Sequence, residues 1–309
     1  MKINPRAELL ALGAIWGVSY LLISIGLRVF SPAVIVLVRT ASGAMTLGFS
    51  LLVSPSSWRG IDRAMARRYL KYLPAQALVA TTLPFLLISW GETRTTVATA
   101  GMLNAATPLF TFIFAKALLR TEASGVRRIA GLVVGFIGVA VILNPWGNEP
   151  GAQSQLLGSV VVLGASALYG YGFVFTRKYF GDGIGSAKVM AFGQIGFATV
   201  LSLPFLLVFH APAHRSASIA PSLIAVLVLG VVQTGLATLM YHRVVRQLGA
   251  TASSVVTYVI PLVAVVAGVV FAHNDLSASF VAGALVVLAA VFLVAGGATT
   301  RPEPAARAS

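Results

Sequence analysis

The sequence predicts an all-α integral membrane protein: ten transmembrane helices built as two inverted five-helix repeats around a central cavity. Three observations carry this expectation. Of 309 residues, 58% are hydrophobic and 10% are charged, with a mean hydropathy of +0.91, more apolar surface than a soluble domain of this size can hide. The apolar residues fall into windows of about twenty, the length that crosses a hydrocarbon core of roughly 30 Å. And the second half of the chain echoes the first at a spacing of 153 positions.

The windows run over residues 9–27, 32–53, 70–90, 96–117, 126–144, 156–176, 188–209, 219–241, 250–272 and 277–297. The first follows "MKINPRAELLALGAIWG", which has basic residues ahead of an apolar run, as a signal peptide does. It lacks a small-x-small cleavage site in the right place and leads straight into further spans, so it reads as a retained first helix. The second window contains Arg39, the one charge well inside a span. The third follows the longest connection, "SPSSWRGIDRAMARR", and no connection has room for a soluble domain. The fourth holds "LNAATPLF", with Pro108 in mid-window, and the ninth holds "TYVIPLV", with Pro261 in the equivalent place. The fifth reads "GLVVGFIGV", whose Gly131 and Gly135 form a small-xxx-small face, and Gly13 and Gly17 form another in the first. Such faces serve packing within a monomer or between two, so monomer and homodimer both remain open.

Charge placement fixes an orientation. With the N-terminus in the cytoplasm, eighteen of the 22 Lys and Arg residues fall on that side and three (Arg28, Arg94 and Arg215) on the other. This is a strong positive-inside signal, and both termini are expected in the cytoplasm. The net charge of +14 is then a topology signal, with anionic lipid headgroups as its partner and no nucleic acid implied. The chain has no cysteine, which excludes disulfides, thiolate metal sites and a cysteine nucleophile.

At the 153-residue spacing Pro108 meets Pro261, Gly17 meets Gly170, Leu83 meets Leu236, Leu109 meets Leu262, Ser124 meets Ser277, Trp16 meets Tyr169 and Glu122 meets Asp275. Each half holds five windows, an odd number, so the second half is inverted relative to the first. Inverted repeats place substrate near the midplane where the halves meet. The expected division is 1–148 for the first repeat, 149–298 for the second and 299–309 for a flexible cytoplasmic tail.

On these motifs the chain resembles the drug/metabolite transporter superfamily, ten-helix EamA type, along essentially its whole length. The residues that carry the resemblance are "AIWGVSY" and "ALYGYGF", the Arg of "LVRTASGA", and "ATPLFTFIFAKALLRTEASGVRRIAGLVVGFIGVAVIL" with its later counterpart "VIPLVAVVAGVVFAHNDLSASFVAGALVVLAAVFLVAG". Thr121-Glu122 and Asn274-Asp275 replace the family's usual Gly-Glu pair. The resemblance implies a carrier of small metabolites in a bacterial-type inner (plasma) membrane, an exporter, with amino acids, including aromatic ones, as the first substrate guess. Drug-like compounds, sugar phosphates and nucleotide-type metabolites are the alternatives within that class.

A mid-helix proline frees a carbonyl, which is tolerated at membrane depth only where protein or a watery cavity satisfies it. Pro108 and Pro261 are therefore hinge candidates flanking the cavity. Polar and aromatic groups at mid-depth are the substrate-binding candidates: Trp16, Ser19 and Tyr20; Arg39; Asn104 and Thr107; Tyr169 and Tyr171; Gln194; Gln233, Thr234 and Tyr241; Thr257 and Tyr258. For any one of them, helix packing is the competing role. Arg39 is either a counter-charge to a substrate carboxylate or phosphate or a structural donor to a neighbouring helix. Gln194 is its counterpart in the second half if the preceding loop is about two residues longer.

All eight acidic residues fall at window ends, in loops or in tails, and the four His residues sit near window ends. No embedded carboxylate is then expected for proton coupling, and facilitated diffusion or exchange is the expected mode. A catalytic constellation at depth is likewise lacking, which argues against the rival of a membrane-embedded enzyme acting on lipid-linked substrates. No metal or cofactor is expected. A channel would show charged rings or a filter loop, and neither is present.

Overall fold

The computed structural model describes residues 5–58, 62–119, 126–146, 151–180, 187–209, 218–241 and 256–295. The tail expected at 299–309 lies outside them. The described residues of the apolar windows are mostly helical. α1 (Pro5–Gly17) and α2 (Ser19–Leu27) form one rod, since the hydrogen bonds Val18 N–Ala14 O and Leu22 N–Val18 O carry the ladder across Val18. α3 (Pro32–Leu52) starts with Pro32 at its first position and the Ser31 hydroxyl accepting from Val34 N. That is the pairing a helix start favours, because the first N–H groups have no partner within the helix.

α4 (Arg63–Ala77) starts further back than the apolar window. Its first turns carry Arg63, Arg67, Arg68 and Lys71, and Asp62 caps it by accepting from Met65 N. It continues through a π-helical stretch, Leu78–Thr82, into α5 (Leu83–Gly91). α6 (Val97–Asn104) and α7 (Thr107–Leu118) divide the fourth window, and α8 (Val126–Leu143) fills the fifth. α9 (Ala152–Tyr179), α10 (Ala187–Ser202) and α11 (Ile219–Val228) follow, α11 passing through a second π-helical stretch, Leu229–Leu236. α12 (Val256–Ala272) and α13 (Ala278–Ala295) complete the described chain.

Among the described residues, seven helices are long and apolar enough to cross a membrane, and three shorter apolar helices occupy the fifth, ninth and tenth windows. Large apolar side chains such as Phe49, Ile224, Phe271 and Leu285 are exposed, as lipid-facing positions require.

Glycines set how close the helices come. A side chain at Gly17 would lie 2.5 Å from Val263 Cβ and 2.8 Å from the Ile260 carbonyl of α12. One at Gly170 would lie 2.8 Å from Thr111 N and 2.9 Å from Phe110 Cβ of α7. Gly17 and Gly170, and likewise Phe110 and Val263, are 153 residues apart, so the same contact is made twice. α8 packs along α13 through Gly138 and Gly283, and a side chain at Gly135 would meet Leu109 at 2.5 Å. The small face at Gly135 is thus covered within the chain.

The two prolines behave differently. Pro108 stands at the start of α7, after a break at Ala105 and Ala106 where the ladder switches to three-residue bonds, Ala105 N–Met102 O and Ala106 N–Leu103 O. The Leu103 carbonyl accepts from the Ser166 hydroxyl of α9 at 3.2 Å. That carbonyl therefore has two donors, Ala106 N and the Ser166 hydroxyl, so protein groups hold the backbone at the break. Pro261 instead lies inside α12, which continues through it, so the symmetric break expected from the sequence is absent there. A proline near the start of a helix removes only one bond and leaves the rest of the ladder intact.

Candidate functional site

Arg39 is the centre of the polar interior. It is 7% exposed, its Nε donates to the Thr234 hydroxyl at 3.0 Å, and its guanidinium lies over the Phe85 ring, 3.7 Å from the centroid. Thr234 belongs to the second π-helical stretch. Its hydroxyl donates to the Leu229 carbonyl five residues back at 2.9 Å, so one oxygen ties the widened turn and accepts from Arg39. A π turn releases backbone groups and redirects side chains, which is why such turns collect at functional places. The two Nη groups of Arg39 make no hydrogen bond among the described residues.

The same stretch anchors α1 and α2. Trp16 Nε1 donates to the Gln233 carbonyl at 3.0 Å, the Ser19 hydroxyl bonds to Gln233 Oε1, and the Trp16 ring packs at 5.5 Å against Tyr241. Gln233 is 3% exposed, so its amide is held by these partners in the apolar interior. Tyr20 of α2 is buried beside them and, with Tyr169 of α9 and Glu92, falls within electrostatic reach of Arg39.

A second arrangement repeats this geometry. Gln194 Nε2 of α10 donates to the Thr81 hydroxyl at 2.9 Å, and Thr81 lies in the first π-helical stretch. Thr81 and Thr234 are 153 residues apart, and Arg39 and Gln194 are 155 apart. The second and seventh windows therefore each present a long polar side chain to a threonine in a π turn. One pair is charged and the other neutral.

Asn104 and Thr107 flank the helix break. Asn104 Oδ1 accepts from the Thr107 hydroxyl at 3.3 Å, and Ser166 lies 3.5 Å from the same oxygen. They serve the break itself. Tyr171 points elsewhere, its ring 5.6 Å from Phe114 and 6.0 Å from Phe175 in a separate aromatic cluster with Tyr72 and Tyr179. Thr257 and Tyr258 lie in α12, but their side chains are outside the described residues.

Sequence reasoning missed four participants. Thr81 could have been found by subtracting 153 from Thr234. Phe85 and Ser166 have no such counterpart and are identified only by where the helices meet. Glu92 was placed at a window end, and by chain position it is, directly after Gly91. Yet both of its carboxylate oxygens are buried and accept no hydrogen bond. Glu8 is buried too, at 5% exposure. The expectation of an interior without carboxylates is therefore corrected. The connection after α5 turns the Glu92 side chain inward, a direction that hydropathy cannot register.

A groove of about 500 Å³ lies apart from these groups, between α7 and α8, lined by Phe112, Ile113, Lys116, Ala117, Ile129 and Leu132.

The described helices are those of a multi-pass membrane protein with charge and hydrogen-bonding groups gathered in its apolar interior. The chain belongs to the EamA-like transporter family, whose sequence model matches residues 7–144 and again 156–296. Relatives agree. The uncharacterized transporter YvbV of Bacillus subtilis is 26% identical over 176 residues, 56% of this chain and 55% of that protein, so the match spans about half of YvbV. The uncharacterized inner membrane transporter YedA of Escherichia coli K12 is 26% identical over 93% of this chain and 90% of its own length. An uncharacterized transporter of Archaeoglobus fulgidus is 24% identical over 90% and 94%. A solved crystal structure aligns over 94% of this chain and 96% of its own with a TM-score of 0.59 at 17% identity, a likeness of fold.

Proposed function

We propose that this chain is a secondary carrier of small carboxylate-bearing metabolites, with amino acids, aromatic ones included, as the leading class. Ten spans in two inverted halves, 1–148 and 149–298, would enclose a central site in an inner (plasma) membrane, with both termini cytoplasmic. Substrate access would alternate between the two sides. The observation that carries the reading is the doubled contact, Arg39 with Thr234 and Gln194 with Thr81. Each joins the halves at a π turn, where a small shift in one helix breaks one pair without disturbing the other. The two stretches matched by the family model lend independent support to the two-part organisation.

Arg39 favours a carboxylate over a lipophilic cation. Thr234 and Phe85 hold its Nε and its face, leaving the Nη pair to fork onto a carboxylate. A phosphate would be better served by two or three cations. Tyr20, Tyr169 and Phe85 add aromatic surface for the rest of an amphipathic solute.

A thermal-shift panel on purified protein in detergent tests this. L-phenylalanine, a sugar phosphate, a nucleoside and a lipophilic cation are compared, with and without Arg39→Ala. A ligand at 100 times its dissociation constant stabilises the native state by about 2.7 kcal/mol. Stabilisation by phenylalanine that disappears in Arg39→Ala supports the reading. Stabilisation by the cation or the nucleoside alone overturns the substrate class.

A further inference from the structure

Glu92 lies in the connection between the spans Arg63–Gly91 and Val97–Leu118, yet its side chain is turned into the interior. Neither oxygen accepts a hydrogen bond. A carboxylate removed from water has three ways to avoid the cost of its charge: pair with a cation, accept hydrogen bonds, or take a proton. The second is not used here. The cation within reach, Arg39, directs its Nε to Thr234 and its face to Phe85. Burial pushes the Glu92 carboxyl well above the usual carboxylate range, and Arg39 draws it back only in part.

Among the described residues, Glu92 interacts electrostatically with Arg39 of α3 and Tyr20 of α2, and Tyr169 of α9 interacts in turn with those two. Arg94, two residues on, lies over the Trp90 ring at 4.0 Å and bonds to Thr93, on the exposed side.

We propose that Glu92 is the proton-carrying residue of the transport cycle, binding its proton together with a carboxylate substrate so that the two move in the same direction. The proposal rests on the carrier reading above. The sign of the coupling follows from Arg39. The ionised form of Glu92 depends on the positive charge of Arg39 for stabilisation. A substrate carboxylate on the Nη groups neutralises that charge, and Glu92 then holds its proton more tightly. By linkage the reverse also holds: protonated Glu92 leaves Arg39 free and strengthens substrate binding. When substrate leaves, Arg39 acts on Glu92 again, the hold on the proton weakens, and the proton passes to water where the open side is the less acidic one. No bond in the substrate changes, and one proton passes between water and a Glu92 oxygen at each end of the cycle.

Two measurements test this on the full-length protein. The first uses no substrate: labelling by a carbodiimide, which attacks protonated carboxyls in apolar surroundings, followed by mass spectrometry from pH 5 to 9. Glu92 is expected to be labelled at neutral pH and to lose labelling only as pH rises further. Labelling confined to the acidic end of the range overturns the proposal. The second follows L-phenylalanine uptake into proteoliposomes with the outside one pH unit more acidic than the inside. The expected result is accumulation of up to about tenfold, the ratio that one proton and one pH unit allow. In Glu92→Gln the ratio of uptake with and without the gradient should fall to about one. Uptake driven by an alkaline outside, or no response in the unmodified protein, also overturns it. If phenylalanine does not move at all, the amino-acid reading fails, and the labelling result alone decides the proton site.

Discussion

At the residue scale, Arg39 and Ser166 show how an apolar interior sorts roles. Arg39 keeps its charge by stacking on Phe85 and bonding to Thr234. Arg39→Lys retains the charge but loses both the flat face and the fork. It should weaken phenylalanine binding about ten- to a hundredfold, as loss of a hydrogen bond between charged groups does, measured by titrating the thermal shift. Ser166→Ala removes the interhelical one of two donors to the Leu103 carbonyl at the helix break. Interhelical hydrogen bonds in membranes contribute about 0.6–1.7 kcal/mol, so the melting temperature should fall by a few degrees with substrate affinity unchanged. Glu92 gives the opposite sign with pH. Its carboxyl is raised in the folded state, so the folded protein binds more protons than the unfolded chain. Stability is then expected to fall as pH rises above the ordinary carboxylate range, and Glu92→Gln should flatten that slope in a pH series of melting curves.

At the element scale, the sequence and the structure agree where the signal is steric and part where it is conformational. Pro108 announced a break because proline cannot donate to the ladder, and the chain does break two residues before it. Pro261 carried the same signal, but α12 runs through it. The π stretches at Leu78–Thr82 and Leu229–Leu236 left no trace in hydropathy, since one extra residue per turn changes neither composition nor window length. Only the 153-residue spacing, applied to Thr234, would have pointed to Thr81. Gly17 was legible as a small position, and its partner Val263 was not, because contact between distant helices is not a local property. Gly17→Leu should force α1 away from α12, whose backbone lies 2.8 Å from a new Cβ, and cost about 1–3 kcal/mol as overpacking does. Pro108→Ala would allow α6 and α7 to fuse. The expected result is unchanged or higher thermal stability with slower exchange, and an unchanged exchange rate for Pro108→Ala combined with Pro261→Ala would remove the hinge role.

At the scale of the whole molecule, the 153-residue spacing relates pairs of interior contacts. Gly17 with Val263 and Gly170 with Phe110, and Arg39 with Thr234 and Gln194 with Thr81, are pairs of the same contact made from opposite directions. The asymmetry within the second set, a cation against an amide, gives the site a charge without doubling its desolvation cost. The proposed inverted topology has its own test. With no native cysteine in the sequence, single cysteines placed in the 2–3 and 5–6 loops report sidedness against an empty background. Membrane-impermeant thiol reagents on intact cells should label the second site and not the first.

On the proposed reading, a carboxylate substrate binds at Arg39 between two halves that open in turn. Counterflow of radiolabelled L-phenylalanine in proteoliposomes addresses it most directly. The expected result is saturable uptake that speeds up several-fold when unlabelled phenylalanine is inside, and loss of that uptake in Arg39→Ala. Uptake that rises linearly with concentration, ignores the inside pool, or proceeds equally well without Arg39 would contradict it.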